Sequence, residues 1–243
     1  TLTVGVHVNC DVNDGNWDNN FSPLAKVDVI LPDYPAVTDL SGAKGEAGEV
    51  LLSWNEPDYG GIYIRTTETF EEADPFATMN VGNTCGWTFL DRDGGPVGGM
   101  QGLEIPNVPD SRPASFFILD ASAEGFNASF SVHGGSKCLA AIFNVDQSTN
   151  DDWAISPELC GEAQTISFYA RAYEMSLPEK IEILYSSTDT DPQSFTSVKT
   201  ISGISTDRQL TWTRCSADLP AGAKYFAIRY ISTNTFMVMI DDI

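Results

Sequence analysis

Apolar and polar residues alternate with a period of two through most of the chain. Leu2, Val4, Val6 and Val8 alternate with Thr3, Gly5, His7 and Asn9, Val27, Val29 and Leu31 with Lys26, Asp28 and Ile30, and Val50, Leu52 and Trp54 repeat the pattern. Ile166, Phe168, Ala170 and Ala172 oppose Thr165, Ser167, Tyr169 and Arg171, while Ile181, Ile183 and Tyr185 oppose Lys180, Glu182 and Ser186. Such alternation puts one face of a strand in a core and the other in water. Segments 115–120, 138–145, 195–201, 210–217, 224–232 and 235–243 are rich in β-branched or aromatic residues between turn formers and predict further strands, as does Tyr63–Phe70. Helical stripes fail: Pro75 interrupts Glu68–Ala77, and Gly45 and Gly48 break Ala43–Val50. An all-β sandwich is predicted.

Punctuation divides the chain. Leu31-Pro32-Asp33-Tyr34-Pro35 reads as a stiff spacer, and Glu56-Pro57-Asp58-Tyr59-Gly60-Gly61 as a turn cluster. The stretch from residue 62 to 243 is long enough for a complete β domain; the residues before it are not. Strand-like sequence at both Thr1 and Ile243 suggests a piece of a longer polypeptide.

Charge narrows the partners. With 34 Asp+Glu against 13 Lys+Arg, the net charge is −21 and the pI about 4.1, which repels nucleic acid and anionic lipid and disfavours self-association, so a monomer is expected. A hydrophobic content of 42% nevertheless suffices for a packed core. No run approaches the ~18 apolar residues of a membrane span, so no membrane insertion is expected. Cys10, Cys85, Cys138, Cys160 and Cys215 lack Cys-x-x-Cys spacing, which speaks against zinc. Buried thiols are their ordinary reading, with one or two disulfides open.

The chain has no Gly-x-Ser-x-Gly, His-Glu-x-x-His or phosphate-loop pattern, and the one thiol–imidazole pairing in reach, His133 with Cys138, reads better as a turn histidine before a buried strand cysteine. No enzyme is expected. Hard-oxygen metal binding is the stronger reading: Glu71-Glu72, Asp91-Arg92-Asp93-Gly94-Gly95 and Asp241-Asp242 each concentrate carboxylates where turn carbonyls are also available. Adjacent aspartates ending a hydrophobic strand straddle both faces, so one of them points to the apolar side and invites a cation, unless it lies at the sheet's end in water. Residues 9–20 look like a calcium loop, but the helical calcium-hand register fails there and a turn explains the Asx and Gly content. Asn20-Phe21-Ser22 and Asn127-Ala128-Ser129 match the N-glycosylation pattern.

Ordered motifs carry a resemblance. Phe70-Glu71, Gly86-Trp87-Thr88-Phe89-Leu90-Asp91-Arg92-Asp93-Gly94, Asp152-Trp153-Ala154-Ile155-Ser156-Pro157-Glu158-Leu159, Leu219–Tyr230 and Ile240-Asp241-Asp242-Ile243 fall in the order of a cleaved-adhesin, or choice-of-anchor J, domain, a family that includes the haemagglutinin-adhesin regions of gingipain proteases. The resemblance implies a jelly-roll β-sandwich over 62–243, secretion or surface display by Bacteroidota, structural calcium, and adhesion to a host or matrix protein rather than catalysis. On it, Glu71, Asp91, Asp93 and Asp241, with Asp242 beside them, match the acidic positions near the calcium. One departure stands out: the family often continues Asp-x-Asp-Gly-Asp-Gly, whereas here Gly94 is followed by Gly95-Pro96. Residues 34–61 resemble the first strands of a fibronectin type III module with a linker, and 1–33 the closing hairpin of an immunoglobulin-like repeat. They would form a short N-terminal β-strand extension. Two alternatives remain open at this point, a carbohydrate-binding module using Trp17, Trp87, Trp153 or Trp212, and an accessory domain of a larger secreted protease.

Overall fold

The computed structural model describes residues 2–4, 25–27, 38–44, 50–55, 66–99 and 103–243. The chain divides into two units, Thr1–Arg65 and Thr66–Ile243. In the first, β1 (Leu2–Val4) pairs antiparallel with β2 (Ala25–Val27), and β3 (Thr38–Lys44) with β4 (Val50–Asn55). The calcium-like stretch at 9–20 lies outside the described residues.

The second unit is a jelly-roll sandwich of two five-stranded antiparallel sheets. One sheet runs β11 (Thr196–Ile204), β10 (Glu179–Ser186), β13 (Tyr225–Tyr230), β8 (Asp152–Ile155), β5 (Thr88–Asp91). The other runs β12 (Thr213–Leu219), β9 (Gln164–Ala172), β14 (Met237–Asp241), β7 (Lys137–Ile142), β6 (Phe117–Asp120). The chain changes sheet at most connections, so strands far apart in sequence become neighbours. No helix among the described residues is long and apolar enough to cross a membrane.

Burial explains the sequence pattern. The sandwich interior holds Trp87, Phe89, Ile118, Leu139, Phe168, Ile181, Ile183, Phe226, Ile228 and Ile240. A second apolar layer lies on the outer face of the β6–β7–β14 side, where Phe117, Leu119, Cys138, Ala140, Met237 and Met239 pack with Ile105, Val108 and Phe130. Strands covered on both faces therefore read as continuous apolar runs, as in Leu139-Ala140-Ala141-Ile142, whereas β9 and β10, covered mainly on one, keep their alternation.

Residues 66–70 of the predicted Tyr63–Phe70 strand form none, because Phe70 takes a left-handed conformation (φ 59°) that turns the chain; Glu68 instead exchanges backbone bonds of 2.7 and 3.0 Å with Ile243. The strand predicted from 210 begins only at Thr213, after Leu210, whose φ of 58° is likewise left-handed. Strands β5 and β8 were not predicted at all, being four residues each and, in β8, buried at every position.

Candidate metal centre

Among the described residues, the two unpredicted strands and the turn after β5 bring three carboxylates together. Asp91 closes β5 directly opposite Asp152, which opens β8, and the Asp91-Arg92-Asp93-Gly94 turn folds back so that oxygens of Asp91, Asp93 and Asp152 all lie within 4.8 Å of one another. Gly94, at φ 64°, donates its N–H to Asp91 Oδ1 at 2.7 Å, a turn that a side chain would strain. Asp93 is held from three sides: Oδ1 accepts from Gly95 N at 2.6 Å and from Asn144 Nδ2 at 2.8 Å, and Oδ2 from the Asp151 N–H.

Asp152 makes this cluster more than a surface patch of acid. Its side chain is 1% exposed; Oδ2 accepts from Asn150 Nδ2 at 3.0 Å, but Oδ1 is buried without any partner, as is the Oδ1 of Asn150, which is also 1% exposed. Burial pushes the Asp152 carboxyl well above the carboxylate range, and the negative charges of Asp93, Asp91 and Asp151 add to that. Burial raises Asp91 too. Orphaned buried oxygens in an all-oxygen donor set are what a hard cation satisfies. The donor set fits calcium, with Asp91, Asp93 and Asp152 as carboxylate ligands and Asn150 as an amide donor beside them.

The other predicted ligands lie elsewhere. Glu71 Oε1 accepts from the N–H groups of Ser136 and Lys137, both at 2.8 Å, and Oε2 from Ser136 Oγ at 2.8 Å. Asp241 is fully buried; Oδ2 accepts from His133 N at 2.9 Å and Gly134 N at 3.0 Å, and Oδ1 from Asp242 N at 2.7 Å. Asp242 pairs with His133 Nδ1 at 2.5 Å. These three acids gather on the turn before β7, whereas Asp93 is tied to Asn144 just past its far end, about 20 Å away at roughly 3.3 Å per residue. A single ion shared by Glu71, Asp91, Asp93 and Asp241 is therefore excluded by the length of β7, and the third carboxylate beside Asp91 and Asp93 is Asp152.

The Cleaved Adhesin Domain family profile matches residues 109–243, which contain nine of the ten sandwich strands. The chain belongs to the cleaved adhesin domain family. Hemagglutinin A of Porphyromonas gingivalis is 29% identical over a match covering 54% of this chain and 7% of that protein, and Lys-gingipain of the same organism 27% identical, covering 54% and 9%. The chain thus matches less than a tenth of the length of these curated relatives. The K2 cleaved adhesin domain of Lys-gingipain shares the fold, with a TM-score of 0.55 and 24% identity over 73% of this chain and 96% of that one.

Within this cleaved adhesin, the departure at Gly95 has a steric cause. A Cβ there would lie 2.3–2.5 Å from the Asn144 amide, which needs that space to reach Asp93, so no carboxylate fits at 95. Other candidates also find their places. His133 is engaged by Asp242 and stacks on Tyr169 at 3.7 Å between centroids, while Cys138 is fully buried with its thiol pushed well up by burial; the two form no thiolate pair. Among the described cysteines Cys215 is likewise buried, Cys85 half-buried and Cys160 exposed, all as free thiols. Trp87 and Trp153 are core residues, Trp212 is half-buried over the Arg171 guanidinium at 5.2 Å, and Trp17 lies outside the described residues.

Proposed function

We propose that the chain is a non-catalytic, calcium-stabilised adhesion segment of a secreted or surface-displayed bacterial protein that binds a host or matrix protein. The observation that carries this is the cleaved adhesin match across β6 to β14, whose relatives include a protein named for haemagglutination and a gingipain. Calcium held by Asp91, Asp93 and Asp152 would supply structure rather than chemistry: it would offset two of the three converging negative charges and fasten the Asp91–Gly94 turn to β8, so that the loops at that end hold one shape for a partner. The buried, unpartnered Asp152 Oδ1 supports this role. The full chain, passed over immobilised matrix proteins and haemoglobin in calcium, should bind at least one saturably, and more weakly in chelator. Absence of binding to every one of them sinks the adhesive reading.

A glycan ligand is the second reading, favoured by one observation: His133, stacked on Tyr169 and edge-on to Trp212 at 5.9 Å, forms a partly exposed ring cluster. A glycan array with no hit removes it. An accessory role within a larger secreted protease is compatible with either ligand.

A further inference from the structure

The turn beside Glu71 has the oxygen atoms of a cation site and already contains a cation. Phe70, left-handed at φ 59°, turns the chain so that the carbonyls of Glu71 and Ala73 face one point, and the Lys137 ammonium occupies it: Nζ donates to Glu71 O at 2.9 Å and to Ala73 O at 2.7 Å. We propose that Lys137 is a built-in cation, an ammonium filling the oxygen cage in which a divalent ion would otherwise sit, so that this end of the jelly roll is independent of metal.

Three observations support it. Glu71 Oε1 and Asp241 Oδ2 each accept two backbone N–H bonds, which use both lone pairs of the oxygen, whereas at the other end Asp93 Oδ2 accepts one bond and Asp152 Oδ1 none. The Gly135 backbone, at φ 63°, lies against this carboxylate, and a Cβ there would be 2.4 Å from Glu71 Oε1. Nor does either residue have an orphaned side-chain oxygen, in contrast with Asp152. The ammonium, with three donors and a single charge, satisfies two carbonyls and compensates the Glu71 charge without claiming the carboxylate itself.

Removal of the ammonium should turn the cage into a metal site. Lys137→Ala leaves two converging carbonyls beside an ionised carboxylate, with space for an ion and its waters, an irregular geometry that calcium tolerates and magnesium does not. The full-length variant should melt several degrees below the wild type in chelator, recover part of that loss in millimolar calcium, and then carry one more bound ion per chain than the wild type. Conversely, Glu71→Gln with Lys137 in place should leave the number of bound ions unchanged. Both readouts are differences, so they stand whether or not the Asp152 cluster holds calcium. A Lys137→Ala protein that melts like the wild type, or gains no ion, overturns the proposal, as does a Glu71→Gln protein that loses one. Should Lys137→Ala fold only in calcium, the proposal is supported; should it fold in neither condition, the Glu71→Gln count decides.

Discussion

The two acidic ends of β7 look alike in composition and differ in what their oxygens touch. At the Lys137 end, Glu71 and Asp241 are saturated by N–H and O–H donors, and Asp242 is paired with a histidine. At the Ile142 end, three carboxylates converge, and the innermost keeps an oxygen with no donor. Carboxylate density alone therefore does not make a metal site. What separates the two ends is the presence of unsatisfied lone pairs in a place water does not reach.

Breaking the saturated end should have the largest effect. Glu71→Ala orphans the N–H groups of Ser136 and Lys137 and removes the charge facing the Lys137 ammonium; with water replacing part of the loss, the cost is about 3 kcal/mol, read as a fall of roughly 6–12 °C in Tm for a chain of this size. That fall should be the same in calcium and in chelator. A calcium-dependent fall would mean that Glu71 is a ligand after all.

Acid should reveal the buried carboxylates next. Asp241, pushed by burial from an ordinary 3.8 to about 6, keeps in the folded chain a proton that the unfolded chain has lost between those values. Its ionised form thus costs stability above that window, and lowering the pH from 7 to 5 returns about 1 kcal/mol. Glu71 acts in the opposite sense: burial alone would raise it, but the Ser136 and Lys137 N–H groups hold it below its ordinary value of 4.5, so its contribution is lost only under more acid conditions. Denaturant unfolding in chelator should therefore show the metal-free chain more stable at pH 5 than at pH 7. The reverse trend would remove Asp241 from the buried set.

The smallest effect sharpens the other end. Because burial pushes the Asp152 carboxyl well above its ordinary value and a calcium ligand must be ionised, calorimetry at mildly acid pH in buffers of different ionisation enthalpy should register up to one proton released per ion. Release of none would indicate an ion bound outside the buried carboxylate.

Much of this was legible in the sequence where one physical rule governs a position. Period-two alternation located β9 and β10 because only one of their faces is covered, and Asp91 and Asp93 were visible as a carboxylate turn closed by Gly94. Asp152 was not. It opens a strand buried at every position, so β8 has no alternation, and its significance depends on pairing with Asp91, a contact across sixty residues of chain that no local pattern encodes. Glu71 and Asp241 were visible as acidic residues beside apolar runs and read as metal ligands, but their engagement by the 133–137 turn is a tertiary fact. Reading Asn150-Asp151-Asp152 as three consecutive oxygen donors before a buried tryptophan was the one sequence signal available for that site.

The decisive measurement compares the wild type with Asp152→Asn, each melted in calcium and in chelator with bound metal counted by elemental analysis. A ligand that binds only the folded chain stabilises it by about 2.7 kcal/mol at a hundredfold excess over Kd, roughly 5–10 °C here. The wild type should lose that much on chelation, with calcium bound beforehand, and Asp152→Asn should bind no calcium at this centre and melt alike in both conditions. A wild type that is indifferent to chelator and free of metal would contradict the metal centre.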